Sequence, residues 1–238
     1  MVVNLPEQFL NWNYYARGKM IEGLLQGRSE TDMNQFFLES TRHNPALCTA
    51  YRKSDGQLYV NAKIVGIGYV LREDFLAEAT EALLLHAGWG DSLFEKASTG
   101  DEKRQASSEY QRQGMSLLSK YLYLEPNEAS RRLDFTKMST LELALDKPQS
   151  AKHTWTIMQQ NKTACLLFYR PPSITFELHG TIDIHEKGLY HKFVNAVHNT
   201  FHYASKEARN TRWPVYIFNV EEVYDNSPGR ETFGKKIA

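Results

Sequence analysis

Hydrophobic and polar positions alternate along several stretches of the chain with the two-residue period of half-buried β-strands. The runs 46–51 and 57–65 flank a polar turn containing Asp55-Gly56, a dipeptide typical of β-hairpins. Five more runs with strand character follow at 132–136, 140–145, 163–169, 173–185 and 214–223. We therefore predict about seven strands, of which the first two form a hairpin.

The first 44 residues show apolar residues at roughly helical spacing instead. This segment, 1–44, is predicted to be helical, with a second short helix at 32–40. Pro45 ends the pattern, because the residue before a proline is disfavoured in the helical region. The remaining residues, 45–238, are predicted to form the main domain.

Residues 72–125 carry no strand pattern and interrupt that domain as a helical insertion. One helix is predicted at 73–86, ending at Ala87-Gly88, and another at 110–121. Beyond the insertion, helical patterns occupy 151–160 and 189–201. The predicted class is α+β, mainly β with peripheral helices, built on an antiparallel barrel.

Composition narrows the function classes. Lys and Arg number 28 and so do Asp and Glu, and this balance argues against nucleic acid as the main partner. No apolar run approaches the ~20 residues of a membrane span, and the N-terminus lacks the apolar core of a secretory signal. With only two cysteines, Cys48 and Cys165, neither a disulfide scaffold nor a cysteine-based zinc site is expected. Both lie in apolar stretches and are expected to be buried structural thiols of a cytoplasmic protein.

Common catalytic motifs are absent from the chain. It contains no G-x-S-x-G, no P-loop, no G-x-G-x-x-G and no H-E-x-x-H. Gly66-Ile67-Gly68 lacks the third glycine of a dinucleotide motif. These absences disfavour hydrolase chemistry.

A polar segment precedes the helix predicted at 151–160. Ser150, Lys152, His153 and Thr154 place hydroxyls, an ammonium and an imidazole at a helix N-terminus, where unpaired N–H groups and the helix dipole favour an anion. A phosphate or carboxylate would be held by Lys152 with the two hydroxyls. The alternative interpretation is that Ser150 caps the helix and Lys152 is solvated.

Two further features could carry chemistry. His191, His198 and His202 share one face of the helix at 189–201, where His198 and His202 could bind a metal or haem iron, although no acidic neighbour completes a metal motif. We expect a structural face there and no metal site. Arg170 precedes two prolines at a strand end, a position suited to anion recognition or to a surface ion pair.

The order of these features resembles the FMN-binding split-barrel superfamily, typified by pyridoxamine 5'-phosphate oxidase. A hairpin with an Asp-Gly turn comes first, and a strand later leads into the Ser-x-Lys segment and a helix. The apolar strand TACLLFY and the strand ELHGTIDIH, with Gly180 at the family's glycine, follow before a helix and a closing strand. The match covers about half of the chain and contains no single diagnostic motif.

The resemblance implies a split barrel, a homodimer, and FMN bound at the subunit interface for redox chemistry on a small molecule. Ser150 and Lys152 match the family's phosphate-binding segment, with Thr154 and His153 beside them. On the second strand, Asn61 stands where the family often has an arginine, and Lys63 follows two residues on, on the same face. Arg170 is expected to assist.

Two alternatives stay open. A haem-degrading branch of the same fold shows a segment similar to Ala151-Lys152-His153-Thr154, which implies haem as the second cofactor candidate. His198 or His202 could then supply the iron ligand. The other alternative is a non-catalytic dimeric module whose insertion at 72–125 binds a protein partner.

Overall fold

The computed structural model describes residues 1–28, 38–39, 41–143, 152–209, 213–229 and 231–238. Within these ranges a single antiparallel sheet has the strand order β2-β1-β5-β6-β7-β4-β3, and β8 pairs with β7. The strands are β1 Ala46–Arg52, β2 Leu58–Ile64, β3 Gly68–Leu71, β4 Leu133–Leu141, β5 Thr163–Arg170, β6 Ile174–His185, β7 Val215–Asp225 and β8 Lys235–Lys236. The sheet is not closed, and the chain has the predicted α+β class with an open, split sheet.

The predicted hairpin is confirmed. β1 pairs with β2 from Ala46 opposite Ile64 to Arg52 opposite Leu58. Gly56 has a φ of 83°, a conformation that glycine adopts without steric cost, and this explains the glycine in the turn.

The structure has one strand, β4, where the sequence predicted two. The runs 132–136 and 140–145 belong in the structure to one strand that ends at Leu141, and the last two residues of the second run, 144 and 145, lie outside the described part. β4 pairs with β3 on one side and β7 on the other, so Met138 lies opposite both Tyr69 and Phe218. Pairing on both sides buries polar residues in mid-strand and so masks the alternation that a half-buried strand would show.

β3 was absent from the prediction because four residues are too few to show a period. Gly180 marks a bulge as predicted, since the pairing of β6 with β7 shifts register between His179 and Gly180. A Cβ at Gly180 would lie 2.0 Å from the carbonyl oxygen of Asn219. The glycine therefore permits a close approach between the two central strands.

The helices surround this sheet. They are α1 Glu7–Leu10, continued by a π-helical turn Asn11–Tyr15 into α2 Ala16–Leu25, then α3 Glu73–Glu95, α4 Gly100–Tyr121, α5 Pro126–Arg132, α6 His153–Gln160, α7 Leu189–Phe201 and α8 Lys206–Arg209, with a 3-10 turn at Thr41–His43. Of the segment 1–44 that was predicted to be helical, the structure shows continuous helix from Glu7 to Leu25. The helix predicted at 32–40 lies outside the described residues apart from 38 and 39.

The predicted stop of α3 at Ala87-Gly88 is wrong, and the helix continues to Glu95. A Cβ at Gly90 would lie 2.4 Å from the ring of Tyr110, so a glycine in this helix makes room for a neighbouring helix and does not end its own. α4 begins ten residues earlier than predicted, at a capping box between Thr99 and Glu102. Its first turns are exposed and charged, which hid their helical period.

α3, α4 and α7 pack against one another, and α7 also contacts β4 and β7. The closest contact is at Gly114 of α4, where a Cβ would lie 2.0 Å from the carbonyl oxygen of Thr200. Among the helices of the described residues, none combines the length and the apolar character that crossing a membrane would require.

Two mid-helix glycines make a test of this packing. Gly114→Ala is expected to lower the free energy of unfolding by about 1–3 kcal/mol, because the methyl group would displace the backbone of α7. Gly88→Ala on α3 meets no atom within 4 Å and is expected to raise it by about 0.5–1 kcal/mol through helix propensity. Urea denaturation measures both values, and shifts of the same sign would contradict this packing.

Candidate functional site

α6 lies on one face of the first hairpin, which we call the inner face. The helix begins after Lys152, whose carbonyl accepts a hydrogen bond from Thr156 N at 2.9 Å. Buried Ile157 and Met158 hold it against the sheet, and Asn161 Nδ2 donates to the carbonyl of Ala50 at 2.7 Å. The C-terminal end of the helix is thereby fixed relative to β1.

Two of the predicted site residues meet at the N-terminus of α6. Asn61 Nδ2 donates to Thr154 Oγ1 at 2.8 Å, so the Thr154 hydroxyl keeps its own hydrogen available to a ligand. Thr49 lies opposite Asn61 on β1, and its buried Oγ1 has no hydrogen-bond partner in the described part of the chain. Three neutral polar groups thus share a buried site under the helix.

Lys152 adds a positive charge to this place. It is 7% exposed, and its ammonium makes no hydrogen bond or ion pair with the described residues. Most of the side chain is covered while the ammonium has no partner among these residues, so its charge is available to an anionic ligand. Lys152 lies two residues before Thr154, so the start of α6 offers a cation next to a hydroxyl with unused hydrogen-bonding capacity, and Thr49 on β1 offers a second such hydroxyl.

Lys63 is paired with a different group, the carboxylate of Glu142. Its Nζ donates to Glu142 Oε1 at 2.9 Å, and Tyr216 donates its hydroxyl to Glu142 Oε2 at 3.2 Å. Burial, with the neighbouring carboxylate, raises the pKa of Tyr216 well above its usual range, so the phenol stays protonated as a donor. Trp155 of α6 stacks near the Tyr216 ring, with centroids 6.4 Å apart. Lys63 and Tyr216 together balance the buried carboxylate of Glu142 inside the protein.

The remaining predicted residues do not join this cluster. His153 is exposed beside the Tyr59 ring, at 6.1 Å between centroids, and Ser150 lies outside the described residues. Arg170 pairs with Glu39 at 2.5 Å, at the far end of β5. Ala164 is opposite Thr49, so Arg170 stands six residues further along, or about 20 Å at the rise of a strand.

The histidines of α7 form a separate pair. The rings of His198 and His202 lie 4.8 Å apart, and His198 meets the Trp213 ring edge-on. Burial lowers the pKa of both imidazoles, which are therefore neutral near pH 7. The described residues that could jointly ligate a metal are others, namely Cys165, Glu177 and His179.

Glu142, Tyr216 and Thr49 were not predicted as site residues. The alternation Leu141, Glu142, Leu143 predicted an exposed carboxylate between two buried leucines. In the structure Leu141 is buried as expected, but Glu142 is only 1% exposed and Leu143 is 50% exposed. No local signal indicates this, because the strand ends at Leu141 and the tertiary contacts with Lys63 and Tyr216 decide the direction.

Comparison with known proteins finds no matching family model and no matching curated protein. Solved structures with a similar fold include HupZ of Group A Streptococcus, at 12% identity, with 84% of this chain and 97% of that chain covered and a TM-score of 0.37. A proposed pyridoxamine 5'-phosphate oxidase from Listeria innocua matches at 9% identity, covering 82% and 98%, with a TM-score of 0.39. A proposed 5-nitroimidazole antibiotic resistance protein from Bacteroides thetaiotaomicron matches at 10%, covering 82% of each chain, with a TM-score of 0.34.

The Listeria innocua protein carries the name of the enzyme that typifies the family that the sequence resembles. At these identities and TM-scores, the ligands and activities of the similar proteins are not assigned to this chain.

The buried carboxylate makes the role of Lys63 testable. Lys63→Met is expected to lower the free energy of unfolding by about 2–3 kcal/mol, less than the loss of a fully buried partner because the Lys63 side chain is 35% exposed. Adding Glu142→Gln removes the unpaired carboxylate charge, and the double variant should regain most of the lost free energy of unfolding. Denaturation curves that place the single and double variants at equal stability would contradict the pairing.

Proposed function

We propose that this chain is an FMN-binding flavoprotein that acts as a homodimer on a small molecule in a redox reaction. The observation that carries this proposal is Lys152, a largely covered lysine at the start of α6 whose ammonium has no partner among the described residues. The resemblance of the sequence to flavoproteins of this fold supplies the identity of the ligand. When bound, the flavin would supply the hydride or electron transfer.

The residues present fit one part of FMN, the phosphate. Lys152 would give a charge-assisted bond to a phosphate oxygen, and Thr154 would donate the hydroxyl hydrogen that Asn61 leaves free. Unpaired N–H groups of the first turn of α6 would add to the attraction for an anion. Lys63 contributes little charge in this arrangement, because Glu142 neutralises it.

A comparison of two flavins isolates the phosphate contact. Fluorescence titration with FMN is expected to show binding to the wild-type protein, and Lys152→Met should weaken it by roughly 10- to 100-fold, the range for hydrogen bonds to charged groups. Riboflavin, which lacks the phosphate, should bind both proteins equally. Lys162→Met, at an exposed lysine just beyond the other end of α6, is the matched control and should behave as wild type.

Unchanged FMN affinity in Lys152→Met would refute the anchoring role, and no FMN binding at micromolar concentration would refute the flavoprotein proposal. In that case haem is the next candidate, favoured by the adjacent neutral imidazoles of His198 and His202. A Soret band on haem titration that His198→Ala or His202→Ala abolishes would support it. Binding of neither cofactor would favour the non-catalytic module.

We place the proposed homodimer interface on the face of β2 that points away from α6. This strand ends the sheet and turns its polar residues toward α6, which leaves Leu58, Val60 and Ile64 at 61%, 65% and 67% exposed. A row of exposed apolar side chains on an edge strand invites association with a second protein surface. A second copy of the chain would cover this row and complete an interface there.

Val60→Asp is expected to convert a dimer into a monomer, because it would place a charge in the centre of the apolar row. Sedimentation velocity measures the change directly. Leu85→Asp, at a 70% exposed leucine on α3, is the control and should leave the dimer intact. A wild-type protein that sediments as a monomer at micromolar concentration would contradict the proposed interface.

A further inference from the structure

The face of the sheet opposite to α6, the outer face, carries a second cluster of reactive side chains. We propose that Cys48, Cys165, Glu177 and His179 form a zinc-binding site on this face.

Three of the four ligands are already assembled. One ligand atom each from Cys165, Glu177 and His179 lies within 4.8 Å of the other two. Sheet register explains the grouping, because Cys165 is directly opposite His179 on the neighbouring strand and Glu177 lies two residues before His179 on the same face. These are thiol, carboxylate and imidazole groups, the three ligand types that zinc uses in proteins.

Cys48 would supply the fourth group, its thiol moving toward the three ligand atoms from outside their 4.8 Å cluster. It is directly opposite Cys165 on the other neighbouring strand, so β1, β5 and β6 contribute to one row of side chains. Both thiols are free and half-buried. Two thiolates, one imidazole and one carboxylate make the four-coordinate set of a structural zinc site, and soft sulfur ligands disfavour magnesium or calcium.

The surroundings orient the carboxylate and leave a path for the metal. Asn226 Nδ2 donates to Glu177 Oε2 at 2.8 Å, while Oε1 meets the His179 ring nitrogen. Such outer hydrogen bonds hold ligands in place in known metal sites. The side chains of Glu177 and His179 are 32% and 44% exposed, so an ion can reach them from solvent. On binding, the thiol protons would pass to solvent and the metal would take their place.

This site is separate from the inner-face residues proposed to hold the flavin phosphate. Neighbouring residues on a strand point to opposite faces, so Cys48 faces away from Thr49, Asn61 and α6. Loss of either site should leave the other one intact.

Cobalt substitution tests the proposal on the full-length protein, reduced and treated with chelator. Stoichiometric Co²⁺ is expected to give thiolate-to-metal charge-transfer and tetrahedral d–d bands, both displaced by Zn²⁺. Cys165→Ser and Cys48→Ser should each reduce the charge-transfer intensity to roughly half, since one of the two thiolates is lost. His179→Ala should weaken Zn²⁺ binding by at least about tenfold in competition with a chromophoric chelator.

His185→Ala is the matched control, because this histidine lies on the same strand and face but outside the cluster, and it should bind as wild type. Circular dichroism and the FMN titration check that each variant keeps its fold and its inner-face site. Absence of charge-transfer bands in the wild-type protein would overturn the proposal. So would an unchanged spectrum in either cysteine variant.

Discussion

The antiparallel register of β1 with β2 and β5 is the constraint on which both sites depend. Register decides which side chains stand opposite each other, and a slip by one residue would move each set to the other face. In the observed register Thr49 and Asn61 lie under α6, while Cys48, Cys165 and His179 form a row on the outer face. The Asp55-Gly56 turn at one end and α6 on the inner face hold that register in place.

Charge balance explains how this chain departs from the family that it resembles. Where the family often has an arginine on the second strand, this chain has Asn61, and the nearby Lys63 neutralises buried Glu142. A buried carboxylate without a positive partner would destabilise the fold, so Lys63 is needed as the partner of Glu142 and contributes little charge to a ligand. The proposed anchoring of a phosphate consequently falls on Lys152 and the Thr154 hydroxyl, on the helix rather than the strand.

At two other places in the molecule, the backbones of neighbouring elements approach each other so closely that only glycine fits. Glycine at position 180 lets β6 meet β7, and glycine at position 114 lets α4 meet the end of α7. In both places any side chain would meet a carbonyl oxygen, so contact distance sets the residue type. The helices α3, α4 and α7 thereby pack as one layer beside β4 and β7.

The sequence by itself determined the local elements whose signals are contained within a few residues. The Asp-Gly hairpin, the alternating strand with its bulge at Gly180 and the amphipathic helix α7 all follow from short-range turn chemistry and periodicity. Only the tertiary structure decided where β4 ends, why Glu142 is buried while Leu143 is exposed, and that Arg170 pairs with Glu39 far from Thr154. The physical reason is that pairing between strands distant in the chain sets burial and contacts there, and no local pattern encodes which strands will be neighbours.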